Sequence, residues 1–114
     1  IKGISQLIIL EKFYKDYIIN VRCSVDISDC KLKYIPIQFG EVTGYFWCCN
    51  NNLTRLKGCP RIVGESFDCS WNKLEYLDYS CPRKVYGNFY CEYNPGDLQE
   101  KDVRKYCYVE ENVN

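Results

Sequence analysis

Nine cysteines and no histidine set the chemistry open to this chain of 114 residues. Thiols can staple a fold, hold a metal or act as nucleophiles, and each use demands a spacing. Disulfides pair, and nine is an odd number. A zinc site usually draws on a close pair of cysteines two to four residues apart, whereas Cys48 and Cys49 are adjacent and the others lie far from one another. A reactive thiol wants a histidine or a fixed cation beside it. The chain has no His, and no obvious cationic partner stands at a fixed spacing from Cys49. Losing His also removes the commonest general base and metal ligand. Carboxylates are plentiful, at fifteen, but no pair stands out for glycosidase-type chemistry. These residues point to no enzyme, no metal and no cofactor.

The spacing of the cysteines instead follows a repeat. The large apolar residues Val25, Phe46, Phe67 and Phe89 are separated by 21, 21 and 22 residues. Two places after each come Ile27, Cys48, Cys69 and Cys91, and five places after come Cys30, Asn51, Asn72 and Asn94. Leu32, Leu53 and Leu74 follow, then Ile35, Leu56 and Leu77. Phe39, Pro60 and Pro82 align, and so do Val42, Val63 and Val85; Cys59 and Cys81 share a second position. A cysteine carried along by a repeat reads best as a small buried apolar residue, with disulfide or metal the weaker readings. The pattern matches the leucine-rich repeat over residues 25–95, about 60% of the chain.

That match predicts an α+β solenoid with one parallel strand per repeat. Phe46 and Cys48 alternate with period two and point inward. Asn51 and Asn72 turn the chain out of the strand and satisfy backbone groups of the turn as a ladder, with Cys30 filling the slot in the first coil. Pro60 and Pro82 oppose a regular helix on the convex side, where extended, irregular or 3₁₀ backbone is expected. The expected boundaries are an N-terminal cap at 1–24, repeats at 25–45, 46–66, 67–88 and a partial 89–95, and a C-terminal cap helix and tail at 96–114. Asp97 and Glu100 read as a capping box for that helix, with Leu98, Val103, Tyr106 and Cys107 on its inner face. In the first segment Leu7, Leu10, Phe13, Tyr14 and Tyr17 read as one helix face, and "YIINV" reads also as a strand covering the first coil's edge.

The inward residues explain themselves by burial, but the residues between them do not. Trp47, Cys49, Asn50, Asp68, Ser70, Trp71, Tyr90, Glu92 and Tyr93 are expected on the concave face or at its strand ends. Both tryptophans of the chain fall in this set. Exposed aromatics beside Asp68 and Glu92 have the makeup of a protein-binding hot spot, and the acids favour a basic partner. The competing reading is lateral stacking of Trp47, Asp68 and Tyr90 that only stabilises neighbouring strands. Cys49 is the one cysteine expected on the exposed face. Asn52-Leu53-Thr54 is a glycosylation sequon read here as a turn, and Lys101, Arg104 and Lys105 read as a solvated helix face.

Fifteen basic and fifteen acidic residues leave a formal charge of zero, which argues against a nucleic-acid surface driven by bulk charge. No apolar run approaches the roughly 18 residues of a membrane span, and no basic lead with a cleavage site marks a signal peptide. The expected location is therefore cytoplasmic.

The wording "GCP..V....F.C...N.L..L" resembles small leucine-rich-repeat proteins encoded by tailed bacteriophages. "VDISDCKLKYIPIQFGEVTGYFWC" is similar to their opening coil, and "NPGDLQEKDVRKYC" to their closing helix. The resemblance implies expression in the reducing cytoplasm of an infected bacterium. It leads to the expectation of a non-enzymatic module that binds a host bacterial protein, as an anti-defence inhibitor of the anti-CRISPR or anti-restriction kind. The alternative expectation is a structural or self-assembling phage protein, a homo-oligomer joined through its edges with no host target.

Overall fold

The computed structural model describes all 114 residues, Ile1–Asn114. It is a stack of coils built from short parallel strands. After α1 (Gly3–Tyr14) and β1 (Ile18–Val21) come β2 (Val25–Asp26), β3 (Gln38–Val42), β4 (Phe46–Trp47), β5 (Ile62–Val63), β6 (Phe67–Asp68), β7 (Lys84–Val85) and β8 (Phe89–Tyr90). α2 (Glu100–Tyr106) and β9 (Tyr108–Val109) complete the chain. The strands form two parallel sheets, one ordered β2-β4-β6-β8 and the other β1-β3-β5-β7-β9.

The register of the first sheet is the sequence repeat itself: Val25 pairs with Phe46, Phe46 with Phe67, and Phe67 with Phe89. Each of these four side chains is fully buried. The rings of Phe46 and Phe67 stack at 5.9 Å, and those of Phe67 and Phe89 lie 4.9 Å apart. A fully buried apolar side chain of this size contributes about 2–3 kcal/mol, so this column is a large share of the core. Cys48, Cys69 and Cys91 line up beside it, buried, as small apolar fillers.

The second sheet was not expected. The return arc, where extended, irregular or 3₁₀ backbone was anticipated, is extended and pairs into a sheet of its own, so each coil has two strands rather than the one expected. Val21, Val42, Val63, Val85 and Val109 form its register. The cause lies in the residues after each proline. Arg61 donates its N–H to Gly40 O at 2.7 Å, and Arg83 donates to Arg61 O at 2.8 Å. The preceding coil is the nearest source of partners for these backbone groups. The corner between the two sheets is tight. A Cβ at Gly64 would collide with the Thr43 carbonyl of the coil before it.

The asparagine ladder holds successive coils together. Asn51 accepts from Cys30 N at 3.0 Å and Leu32 N at 2.9 Å, and donates to Ile27 O and Cys48 O at 3.0 Å. Asn72 repeats this between the next pair, accepting from Leu53 N at 2.9 Å and donating to Cys48 O at 3.0 Å and Cys69 O at 3.1 Å. Asn94 accepts from Leu74 N at 3.0 Å and donates to Cys69 O and Cys91 O at 3.2 and 3.1 Å. Each amide therefore satisfies groups on two coils at once.

The terminal segments differ from expectation in detail. α1 buries Leu7 and half-buries Leu10, but Phe13, Tyr14 and Tyr17 are exposed, together with Ile4, Ile8 and Ile9. "YIINV" is a strand: β1 pairs with β3. α2 begins later than Asp97 suggested. Gln99 is its N-cap, and Gln99 and Asp102 form the reciprocal capping box. Asp97 is instead taken by the side-chain amide of Gln99, at 2.5 Å. Val103 and Cys107 are buried under α2, with Leu98 and Tyr106 against the core. After α2 the chain rejoins the stack, since β9 pairs with β7 and Val113 bridges to Phe89.

Candidate functional site

The first sheet's outer face is built by alternation. With Phe46, Phe67 and Phe89 inward, Trp47, Asp68 and Tyr90 must point out, and they lie on one rung of paired strands. Three places further on the chain has left the strand. There Asp29, Asn50, Trp71 and Tyr93 all adopt left-handed backbone, with φ of 55, 54, 57 and 59°. That conformation is common for Asp and Asn but costs a bulky side chain about 1–3 kcal/mol. Stacking sets it: Asn50 N donates to Ser70 O at 2.9 Å and Trp71 N to Glu92 O at 3.0 Å, so each coil imposes the same turn on its neighbour.

The consequence is a shallow depression of about 520 Å³ lined by Cys49, Asn50, Asp68, Ser70, Trp71, Tyr90, Glu92 and Tyr93. Of the nine residues singled out from sequence, these eight converge on it. Trp47 does not line it. Its ring stacks on Tyr45 at 3.8 Å and 17°, beside the depression. Tyr45 escaped the sequence reading, although its offset of two from Trp47 puts both on one face of an extended strand.

Within the depression the indole of Trp71 lies parallel to the ring of Tyr93, 4.2 Å away and tilted by 15°. Both stay open to solvent, at 57% and 62% exposure. Asp68 accepts from Ser70 N at 2.9 Å through one carboxylate oxygen. Tyr90's hydroxyl accepts from Asn88 at 3.1 Å. No Lys or Arg lines the depression.

Two expectations are corrected here. Ser70 is not presented to solvent. It is 9% exposed, and its hydroxyl accepts Glu92 N at 3.2 Å, so it serves the turn between coils. Cys49 is not the exposed thiol either: it is half-buried, and the exposed cysteine is Cys23. The residues flanking Cys49 cover it, because a short side chain on a strand is overshadowed by larger neighbours on the adjoining coils.

All nine cysteines are free thiols. Burial, reinforced by the Asp68 charge, pushes the Cys49 thiol up to about 12. Burial raises Cys91 to about 11 and lifts Cys59 and Cys69 well above the usual thiol value. Cys81 is raised chiefly by its hydrogen bond with Cys107 and then by burial. Groups held protonated in this way are poor nucleophiles at neutral pH.

No protein-family model, curated protein or solved structure matches this chain. The fold and the site define a solenoid of parallel-stranded coils that carries an acidic, aromatic depression on one sheet. No helix is long and apolar enough to cross a membrane.

Proposed function

We propose that this solenoid is a non-enzymatic interaction module that docks a partner protein on the face of β4, β6 and β8. The observation that carries this reading is the convergence of eight residues on one depression, with Trp71 and Tyr93 held exposed in a backbone conformation that smaller polar residues would adopt at less cost. Exposed aromatics in a concavity supply the buried anchors of protein interfaces. Asp68 and Glu92 favour a basic partner surface.

The finer reading rests on the sequence resemblance. The repeat wording and the asparagine ladder support a leucine-rich-repeat array of the bacteriophage type. Its partner would then be a host bacterial protein, met in the cytoplasm of the infected cell. Binding would block a site the target needs, as an anti-defence inhibitor does.

Affinity capture from bacterial lysate tests this, comparing the wild type with a Trp71→Asn/Tyr93→Asn variant shown to unfold at the same temperature. A protein retained by the wild type and lost from the variant supports docking on this face. The same proteins on both, or none on either, moves the function to the sheet edges and overturns the reading.

A further inference from the structure

The chain uses its aromatic rings unevenly. Lys12 lies over Phe13, Lys105 over Tyr106, and Lys84 over both Tyr86 at 4.4 Å and Tyr108 at 5.6 Å. The outer rings of the first sheet, Tyr45, Trp47, Trp71, Tyr90 and Tyr93, hold no cation. The carboxylates show the same unevenness. The chain's salt bridges join Arg55 to Asp78 and Arg104 to Glu100, both away from the depression. Asp68 and Glu92 face it with no basic residue in its lining. A concavity that pairs flat, unoccupied aromatic faces with two uncompensated carboxylates lacks one chemical component, a cation.

We infer that the depression is a guanidinium site, taking an arginine side chain presented by the partner protein; this rests on the docking reading above. Three features select arginine. The Trp71–Tyr93 stack offers a planar surface, and a guanidinium plane stacks on an aromatic face as well as being drawn to it electrostatically. Its N–H fork suits carboxylate oxygens bidentately, with Glu92 open and Asp68 holding one oxygen spare beyond its bond to Ser70. The Tyr90 hydroxyl can accept or donate at the rim. An ammonium, compact and strongly hydrated, gains less from a flat stack. The depression, at about 520 Å³, also has room for the flanking backbone of the arginine.

The test uses the whole chain and the peptide acetyl-Gly-Arg-Gly-amide as probe, followed through the Trp71 indole resonance. Citrulline and lysine peptides of the same length serve as comparisons. Citrulline keeps the shape and loses the charge. The arginine peptide is expected to bind about tenfold tighter than the citrulline one, and to lose most of that advantage at about 1 M salt, where the Debye length is about 3 Å. Asp68→Asn/Glu92→Gln preserves shape and the Ser70 contact, and should weaken the arginine peptide about tenfold while leaving the unfolding temperature unchanged. Equal binding of arginine and citrulline, equal binding of arginine and lysine, or full affinity in the charge-neutral variant would each overturn the assignment. Loss of the captured protein from the Trp71→Asn/Tyr93→Asn variant, with no arginine preference in the peptides, would sink this inference alone. Capture that survives that variant would sink the docking reading beneath it.

Discussion

The two sheets share one core and differ on their outer faces. On the sheet of β1, β3, β5, β7 and β9, the outward rung carries Glu41, Ile62, Lys84 and Tyr108, so both charge signs and an aromatic sit side by side. Lys84 already covers the rings near it. That face satisfies itself. On the other sheet the outward rung runs Asp26, Trp47, Asp68 and Tyr90, and the turn after it adds Asp29, Trp71 and Tyr93. Acids and rings gather there, and the rung's one cation, Lys2, bridges to Asp26 at its far end and does not line the depression. A formal charge of zero for the chain thus hides a local imbalance, and the depression left without a cation is the part that has use for a partner.

The sharpest way to break the comparison is to remove what both sheets stand on. Phe67 lies fully buried between Phe46 and Phe89. Phe67→Ala should cost about 4 kcal/mol in urea denaturation and unfold both sheets in one transition. A loss confined to the first sheet would show that the two are separate units.

Asn72→Ala should come next, at about 2 kcal/mol, because it strands the Leu53 N–H and takes one of two donors from each of the Cys48 and Cys69 carbonyls. Asn50, exposed at the neighbouring turn, is the control. Its replacement by Gly keeps the left-handed turn and should alter stability by a few tenths of a kcal/mol.

The buried thiols sharpen the comparison through pH. An unfolded thiol ionises near 9.0, whereas in the fold Cys91 is raised to about 11 and Cys49 to about 12. A raised acid favours the folded state fully below its unfolded value. The stabilisation is therefore present up to about pH 9 and lost as pH climbs from 9 towards 11–12. Stability should fall across that window, less steeply for the half-buried Cys49, which solvent partly screens, than for the buried Cys91. Denaturation followed between pH 8 and 11 reads it directly, and a flat profile would mean that the thiols are not shielded. At pH 8 a thiol reagent should label Cys23 first, the half-buried Cys30 and Cys49 more slowly, and the six buried thiols only as the chain unfolds.

A small stability effect is also expected at the site itself. Trp71→Asn trades a stack worth about 1 kcal/mol for relief of an unfavourable backbone conformation, and should leave the unfolding free energy within about 1 kcal/mol of wild type. A large loss would make Trp71 a structural residue and remove its claim on a partner.

Much of this was legible in the residues. The Phe column, the ladder of Asn51, Asn72 and Asn94, and the inward cysteines follow from side-chain type recurring at 21 or 22 residues, because each coil must present the same group to its neighbours. The outward direction of Asp68 and Tyr90 followed from period two, and the placing of Trp71 and Tyr93 at the strand ends from their shared position in the repeat. The second sheet was not legible. Strands such as Ile62–Val63 and Lys84–Val85 are two residues long, too short to show alternation, and their partners lie a full coil away. The start of α2 was ambiguous for a plain reason: Asp97 with Glu100 and Gln99 with Asp102 both satisfy the capping spacing.

The sequence by itself determined the coil, its period and which side chains face inward, since burial and the turn's hydrogen bonds act on residue type at fixed offsets. Only the tertiary structure decided what the outward residues do. Stacking the coils sank Ser70 and Cys49 beneath their neighbours, drew Trp47 aside onto Tyr45, and set Trp71 against Tyr93 across two turns. Those outcomes depend on the distances between coils, which no single repeat contains.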